Sequence, residues 1–266
     1  MLELPASVRE LAEDTPAYAP LRAGDRRTVM PGYALCLGLT PGPHSTVVTR
    51  LRLREGEVAA TVRELRAQLR GEGRTIASWE VGPSATPGSL AAELAALDMQ
   101  PAAPPFTVTA GMVLARTPPR IGVVPEGLRI TRVSTLADFR RAQEIYWHCF
   151  EFIPDAAAQA GLEVDYERMR QSRTWLRYLA WRDGRAVAAA DATLTADGVI
   201  LFGGATLPEA RGSGVYQALV WERWLEAVRQ GTPYLITQAG SLSRPILARM
   251  GFVVTAEVQN FVDRLD

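Results

Sequence analysis

Two glycines stand at the start of one predicted helix, where the residue types favour binding of a phosphorylated ligand. The segment Arg211-Gly212-Ser213-Gly214 follows a predicted strand end and precedes an apolar helical pattern that begins at Val215. The first turn of a helix leaves backbone N–H groups without partners, and its aligned peptide dipoles create partial positive charge. Glycine has no Cβ, so a diphosphate can approach the backbone closely, and Arg211 adds a full positive charge. The segment therefore predicts a diphosphate-binding site.

Two other glycine-rich nucleotide sites fit this segment less well. A P-loop requires a lysine after its second glycine, and the chain contains no lysine, so that site is excluded. A Rossmann dinucleotide site requires a third glycine where Gln217 stands, and an acidic residue at the end of the following strand, where residues 234–238 are neutral. A Rossmann-type oxidoreductase therefore remains only as a weaker alternative.

The loop and its surroundings resemble those of the GNAT superfamily of acyl-CoA-dependent N-acetyltransferases. The phosphate loop of that family is Arg or Gln, two residues, Gly, one residue and then Gly or Ala. Arg211, Gly214 and Tyr216 occupy those places, with tyrosine instead of the small residue. A Pro-Glu pair precedes the loop, and the segment 247–252 is similar to the Leu/Met-Gly-Phe ending that follows the last helix of the family. The resemblance covers residues 128–263.

The resemblance implies that an amine attacks the thioester of acetyl-CoA directly, with both substrates bound together. It also implies that the strand end at Gly204-Ala205-Thr206 splays from its neighbour and offers backbone groups to the pantetheine arm and the thioester oxygen. Acetyl-CoA is thus the expected co-substrate, and no metal ion is expected. The residues expected to bind the co-substrate are Ala205, Thr206, Arg211, Gly212, Ser213, Gly214, Val215, Tyr216 and Arg244.

The general base has three candidates. Asp191 interrupts an apolar run on a predicted central strand, where burial would make its carboxylate a better proton acceptor, although strand alternation could equally point it at water. Glu151 and His148 lie near the end of the first helix predicted in this half of the chain. A single histidine in such a place is more often a packed or surface residue than a catalyst.

The usual general acid of the family is missing from its place. Family members often use a tyrosine four residues before the glycine of the Gly-Phe pair, and this chain has Leu247 there. Leucine cannot protonate a leaving thiolate. Tyr216, Ser241 and Ser243 are the alternatives, although Tyr216 could instead pack against the co-substrate. The candidate catalytic residues are therefore Asp191, Glu151 and Tyr216.

Helical and strand patterns alternate through the second half of the chain and position these residues. Ser134 or Thr135 can cap the first helix, Asp183-Gly184 is a turn pair between strands, and Gly231 can end the helix that the loop opens. The predicted order is strand 128–133, helix 135–152, a helix within 155–171, strands 175–181, 186–195 and 199–206, and helix 215–230.

The first half of the chain repeats the strand-helix-strand-helix-strand order of residues 199–261. Glu55 and Glu57 flank the glycine of the corresponding turn and would repel a diphosphate, so this half is not expected to bind CoA. The expected fold is α/β (α+β), with two GNAT-like mixed, mostly antiparallel sheets flanked by helices and an incomplete N-terminal unit. A proline-rich linker sets the expected domains at 1–122 and 123–266. The predicted elements of the first half are strand 47–53, helix 56–69, strand 75–81, helix 87–97 and strand 106–114.

Composition argues against several classes of partner. The net charge is zero and no basic run occurs, which disfavours nucleic acid. No segment is long and apolar enough to cross a bilayer, and the N-terminus does not have the pattern of a signal peptide, so a cytoplasmic protein is expected. Cys36 and Cys149 are expected to be reduced thiols. The expected partner is a small-molecule amine, and the expected assembly is a monomer or a homodimer.

The sequence thus predicts an N-acyltransferase that moves an acetyl group from acetyl-CoA to a primary amine of a small molecule. The alternative is a non-catalytic acyl-CoA-binding or scaffolding protein. Leu247 and Tyr216, which depart from the family pattern, and the degenerate first half favour that alternative.

Overall fold

The chain forms two compact units, and each is assembled from more than one part of the sequence. The computed structural model describes residues 3–38, 42–43, 45–116 and 124–265. The C-terminal unit consists mainly of Val113–Thr237 and Arg249–Phe252, and the N-terminal unit consists of Leu4–Met112, Gln238–Ala248 and Val253–Asp266. The expected domain boundary near residue 122 lies outside the described residues.

Helices and strands alternate in both units, and the expected mixed α/β fold is confirmed. The helices of the described residues are α1 (Ala6–Glu13), α2 (Val58–Gly71), α3 (Leu90–Ala96), α4 (Leu136–Cys149), α5 (Ala156–Ala160), α6 (Leu162–Gln171), α7 (Val215–Arg229) and α8 (Arg244–Arg249). The strands are β1 (Arg26–Val29), β2 (Ala34–Leu37), β3 (Thr46–Thr49), β4 (Ile76–Val81), β5 (Gln100–Pro101), β6 (Val108–Leu114), β7 (Leu128–Arg132), β8 (Trp175–Arg182), β9 (Arg185–Leu194), β10 (Val199–Thr206), β11 (Leu235–Ala239) and β12 (Val253–Arg264). Short 3-10 turns lie at Thr15–Tyr18 and Pro208–Ala210.

The sheet of the C-terminal unit has the order β11-β10-β9-β8-β7 and is antiparallel except for the parallel β10–β11 pair. The β8–β9 hairpin turns through Asp183 and Gly184, whose φ angles of 50° and 77° are the left-handed values that a two-residue hairpin turn favours. The next turn is closed by Thr195, whose Oγ1 accepts hydrogen bonds from the N–H groups of Asp197 and Gly198. The three adjacent antiparallel strands predicted from the sequence are confirmed.

Two long helices, α4 and α7, contact β9 and β10 of this sheet. Thr135 caps α4 by accepting a hydrogen bond from the Asp138 N–H at 3.1 Å, as predicted. The buried face of α4 places Phe139 and Ala142 in one apolar cluster with Leu179. The helix ends at Cys149, three residues before the predicted end, and Glu151 then turns the chain with a φ of 53°.

The sheet of the N-terminal unit has the order β1-β2-β3-β4-β12-β6, with the short β5 paired to β12. The pair β3–β4 is parallel, whereas β12 lies antiparallel to β4 over six residue pairs, from Gln259 opposite Val81 to Arg264 opposite Ile76. Its core is built from α2, α3 and the strands, around the fully buried Trp79. A strand from the end of the described chain therefore completes the unit formed by its beginning.

The predicted internal repeat is confirmed in the order of elements and in its turn conformations. Helix α2 follows a left-handed Gly56 (φ 80°), as α7 follows a left-handed Gly214 (φ 81°). Asp98 after α3 (φ 67°) matches Gly251 after α8 (φ 93°). The strand predicted at 47–53 is shorter, because Arg50 takes a φ of 56° and ends β3.

Candidate active site

The glycine loop is a tight turn that leads from the end of β10 into α7. Gly212 and Gly214 have φ angles of 74° and 81°, in the left-handed region that other residues rarely adopt. Gly214 precedes the first helical residue, Val215, and its carbonyl accepts the first helical hydrogen bond from the Ala218 N–H at 3.0 Å. The two glycines are therefore required by the backbone that the loop follows.

The backbone N–H groups from Gly212 to Gln217 have no acceptor among the described residues. The side chains of the loop bond elsewhere: Ser213 Oγ donates to the Ala210 carbonyl at 2.6 Å, and Arg211 Nε donates to the Thr206 carbonyl at 3.1 Å. These bonds close the loop on itself without using its N–H groups. Unpaired N–H groups at the N-terminus of a long helix favour an anionic ligand such as a diphosphate.

Strand β10 leaves its parallel neighbour early and carries a bulge. In the β10–β11 pair, Val199 lies opposite Leu235 and Ile200 lies opposite Ile236. From Leu201 to Thr206, β10 pairs with β9. The register on β9 shifts between Phe202 and Ala205, so Gly203 and Gly204 form the bulge. The bulge re-aims the backbone of β10 just before the glycine loop.

Each bulge glycine lies against a tyrosine ring. A Cβ at Gly204 would lie 2.7 Å from Cε2 of Tyr216, so the tyrosine ring would have to shift. A Cβ at Gly203, which has a φ of 54°, would lie 3.1 Å from Cε1 of Tyr146. A side chain at either position would have to displace a tyrosine ring, so the close approach of α4 and α7 favours glycine at both.

Asp191 lies on β9 within the core of the C-terminal unit, and only 3% of its surface is exposed. Its Oδ1 accepts hydrogen bonds from Tyr146 Oη at 2.9 Å and Arg177 Nε at 2.7 Å. Its Oδ2 accepts from Arg177 Nη2 at 2.8 Å and Trp175 Nε1 at 3.2 Å. Both oxygens are thus occupied by donors, and a proton on either would break a charge-assisted bond. Asp191 therefore forms a buried ion pair with Arg177.

The guanidinium of Arg177 is enclosed by aromatic rings. Its Cζ lies 4.3 Å from the ring centroid of Phe139, 5.0 Å from that of Tyr146 and 5.5 Å from that of Trp175, and Gln143 Oε1 accepts from Nη1 at 3.2 Å. Burial lowers the pKa of Arg177, but the charge and hydrogen bonds of Asp191 outweigh burial, so the net shift is upward. Arg177 therefore stays charged and the pair stays ionised.

Glu151 and His148 lie at the end of α4, and both side chains are exposed. Between them, Cys149 interacts with Arg211 of the glycine loop. One turn earlier, Tyr146 touches the bulge. These contacts place the end of α4 next to both the loop and the bulge, and Glu151 is a carboxylate there that solvent reaches.

Two further sequence candidates, Tyr216 and Arg244, have distinct surroundings, as does Leu247 at the place of the usual acid. Tyr216 is half-buried, and desolvation raises the pKa of its hydroxyl, only partly offset by the charge of Arg223. Arg244 belongs to the N-terminal unit and forms an ion pair with Glu257 at 3.0 Å, and Leu247 is buried in the same unit. Arg244 is therefore held by a carboxylate of its own unit.

Two carboxylates of the N-terminal unit, Asp14 and Glu13, bind residues just beyond β3 and β4. The N–H of Arg50, the left-handed residue that ends β3, donates to Asp14 Oδ1 at 3.1 Å. Ser84 donates to both oxygens of Glu13, through its N–H at 2.9 Å and its hydroxyl at 2.8 Å. Desolvation raises the pKa of Asp14 to about 6, despite the lowering effect of Arg52. Two carboxylates of the unit thus bind the segments that follow β3 and β4.

Sequence reasoning missed Tyr146, Arg177 and Gly203. Arg177 carried the one available signal, because it is an arginine with apolar or aromatic residues on both sides within β8. Tyr146 and Gly203 carry no local signal, since their roles depend on how α4 crosses the bulge.

The described part of the chain contains no group of three or more residues that could hold a metal ion. No helix within it has the length and apolar character of a membrane span.

Solved structures with the same fold were found by comparison, although no family model and no curated protein matches the chain. A GCN5-related N-acetyltransferase from Kribbella flavida aligns with a TM-score of 0.70 and 18% identity, over 96% of this chain and 95% of that one. A tandem GNAT protein from the clavulanic acid biosynthesis pathway, whose structure lacks AcCoA, aligns with a TM-score of 0.65 and 18% identity, over 98% and 89% of the two chains. A GCN5-related N-acetyltransferase from Sphaerobacter thermophilus aligns with a TM-score of 0.62 and 18% identity, over 88% and 81%. The chain therefore has the tandem GNAT fold, as the sequence resemblance predicted.

Proposed function

We propose that the protein is an acyl-CoA N-acyltransferase whose C-terminal unit transfers the acetyl group of acetyl-CoA to a primary amine of a small molecule. The observation that carries the proposal is the set of unpaired N–H groups from Gly212 to Gln217 beside the bulge of β10. The tandem GNAT fold supports the same reaction class.

The proposed reaction is a direct attack within a ternary complex. The lone pair of the amine forms a bond to the thioester carbon, the carbon–sulfur bond breaks, and the nitrogen loses a proton. The backbone of Gly203 and Gly204, in the bulge of β10, would donate to the thioester oxygen, which gains charge as the bond forms. The loop N–H groups would bind the diphosphate of the substrate.

We assign the proton of the attacking amine to Glu151 rather than to Asp191. Both Asp191 oxygens are bound by Arg177 and other donors, whereas Glu151 is exposed two residues beyond Cys149, which interacts with Arg211 of the loop. A carboxylate that solvent reaches can pass the proton on to water after each turnover.

Tyr216 is the proposed donor to the leaving thiolate. Its ring lies against Gly204, and its raised pKa keeps the hydroxyl protonated at neutral pH. Leu247, at the place of the usual tyrosine, has no proton to give. Tyr216 thereby replaces the missing acid from a different helix.

The N-terminal unit is proposed to be degenerate and not to bind CoA, because Glu55 and Glu57 flank the glycine of its corresponding turn and would repel a diphosphate. Both cysteines are free thiols, which suits a reducing cytoplasm. Assembly as a monomer or a homodimer is part of the same proposal.

Release of free thiol from acetyl-CoA in the presence of a panel of small amines tests the activity. Amine-dependent thiol release above the rate of hydrolysis is the expected result. Binding of acetyl-CoA without turnover for any amine would favour a non-catalytic acyl-CoA-binding protein. Absence of acetyl-CoA binding in calorimetry would refute the assigned loop.

Gly212→Val tests the loop directly, with Gly56→Val as a matched control. Both glycines have left-handed φ angles, 74° and 80°, and open space at the Cβ position, so both variants carry similar backbone strain. We expect the Kd for acetyl-CoA to rise about tenfold or more in Gly212→Val, the equivalent of losing one hydrogen bond to a charged group. Gly56→Val should bind as the unchanged protein does. Equal affinities for all three proteins would exclude this loop.

A further inference from the structure

The buried ion pair of the C-terminal unit contacts the side chain of Tyr146, which in turn contacts the bulge of β10. Arg177 and Asp191 are opposite each other on β8 and β9, and Asp191 is opposite Phe202, the residue before the bulge. Tyr146 Oη donates to Asp191 Oδ1 at 2.9 Å, and the ring of the same tyrosine lies against Gly203. The chain of contacts therefore runs from the ion pair through Tyr146 to the bulge.

The position of the Tyr146 ring is fixed from several sides. Only 4% of its surface is exposed, its hydroxyl is bonded to a carboxylate that Arg177 holds by two short bonds, and Arg177 also lies over the ring. The Arg223 Nη1 group adds a bond to the Asp191 carbonyl at 3.2 Å, which ties α7 to the same point. A ring held in this way limits the conformations that the neighbouring Gly203 can take.

Gly203 needs such a restraint. Glycine has the largest conformational freedom of any residue, and a bulge disrupts the regular hydrogen bonding of the sheet at that point. Oxyanion-type stabilisation depends on donors that are already oriented before charge develops. Without the adjacent Tyr146 ring, the N–H groups of the bulge would adopt several orientations.

We propose that Tyr146 is a positioning residue, which uses its hydrogen bond to Asp191 to hold the Gly203–Gly204 bulge in the orientation required for acyl transfer. The inference rests on the proposed acyltransferase function. In this proposal the buried Arg177–Asp191 pair holds the hydroxyl of Tyr146 in position and does not accept a proton.

Tyr146→Phe tests this role, because it removes the hydroxyl and keeps the ring. The matched control is Tyr178→Phe, since Tyr178 is equally buried in the same unit but its hydroxyl has no hydrogen-bond partner among the described residues. We expect kcat to fall about tenfold or more in Tyr146→Phe, with the KM for acetyl-CoA unchanged, because misplaced groups slow the reaction without weakening binding elsewhere. Tyr178→Phe should keep both kinetic constants.

Amide hydrogen exchange of the peptide that contains residues 201–206 gives a readout that does not require turnover. Exchange should accelerate in Tyr146→Phe and stay unchanged in Tyr178→Phe. If Tyr146→Phe does not fold, Gly203→Ala disturbs the same contact from the other side and should also lower kcat without raising KM.

The outcomes separate the two proposals. Unchanged kcat and unchanged exchange in Tyr146→Phe would overturn the positioning role, even if the protein is an active acyltransferase. Equal losses in both tyrosine variants would also overturn it, because removing any buried hydroxyl would then have the same effect. Faster exchange at the bulge in a protein without any acyltransferase activity would refute the proposed function but support the restraint of the bulge by Tyr146.

Discussion

The stability of the N-terminal unit should depend on pH through Glu80 of β4, a carboxyl whose pKa is raised by burial and in part by the charge of Asp14. Its Oε2 accepts a hydrogen bond from Thr49 Oγ1 at 3.1 Å, and Gln238 Nε2 lies 3.5 Å from the same oxygen. Desolvation raises the pKa of Glu80 from 4.5 to about 7, with a further rise from the charge of Asp14, while the two hydrogen bonds act in the opposite direction. The fold therefore prefers the neutral, protonated form of this carboxyl.

The pH dependence follows from the sign of that shift. A carboxyl whose pKa is higher in the folded than in the unfolded state stabilises the fold below its unfolded pKa, and this contribution disappears as the pH rises through the folded pKa. The pKa of Glu80 differs by about 2.5 units between the unfolded and the folded state. This difference corresponds to a contribution of at most about 3 kcal/mol to the free energy of unfolding. The contribution should be complete near pH 4.5 and absent above about pH 8.

Glu80→Gln keeps the shape and the acceptor oxygen of the side chain but cannot ionise. The variant should therefore be more stable than the unchanged protein at pH 8.5, by up to about 3 kcal/mol, and nearly equal to it at pH 4.5. Denaturant unfolding at the two pH values measures the difference. Asp14, whose pKa is also raised, contributes to the pH dependence of both proteins and cancels to first order in the comparison.

Glu64→Gln is the control, because Glu64 is exposed on α2 and its replacement should change stability equally little at both pH values. The reasoning fails if Glu80→Gln is less stable than the unchanged protein at pH 8.5, or if its advantage is the same at pH 4.5. Either result would mean that Glu80 is stabilised in its charged form.

Two further predictions concern the C-terminal unit. Asp191→Asn should lower the free energy of unfolding by about 3–5 kcal/mol, since it leaves the buried guanidinium of Arg177 without its counter-charge; a stable but inactive variant in denaturant titration would instead support Asp191 as a catalytic group. Glu151→Gln should lower kcat about a hundredfold while the Kd for acetyl-CoA in calorimetry stays the same, and full activity of this variant would exclude Glu151 as the base.

The glycine loop and the order of elements could be predicted from the sequence because their signals are local. Left-handed glycines at a helix start and turn pairs such as Asp183-Gly184 act within a few residues, and the structure contains both. The cap of α4 at Thr135 is another local signal. Each depends on backbone sterics or on one nearby hydrogen bond, so one sequence suffices to find it.

The pairing of Arg177 with Asp191 could not be predicted from the same information. The two-residue turn places Arg182 opposite Arg185, and an unbroken hairpin would then place Arg177 opposite Ala190. A register shift between Ala180 and Trp181 moves the pairing by one residue, so that Arg177 faces Asp191 instead. A one-residue shift decides which side chains meet, and the sequence does not show it.

The unit to which β12 belongs was equally beyond sequence reasoning. The alternation of apolar and polar residues predicts a strand, but it does not indicate which other strand will pair with it. Pairing with β4 joins residues that are far apart in the chain, and such contacts depend on the whole fold rather than on local preference.

The late position of β12 has a consequence for synthesis on the ribosome. Strands β4 and β6 leave the ribosome long before Val253–Arg264 is made, and at 5–20 residues per second that delay is roughly seven seconds or more. During this interval both strands lack their shared neighbour and present open edges, which are sites of aggregation. The N-terminal unit therefore stays partly assembled until β12 is made. During this time chaperones can bind its open strand edges.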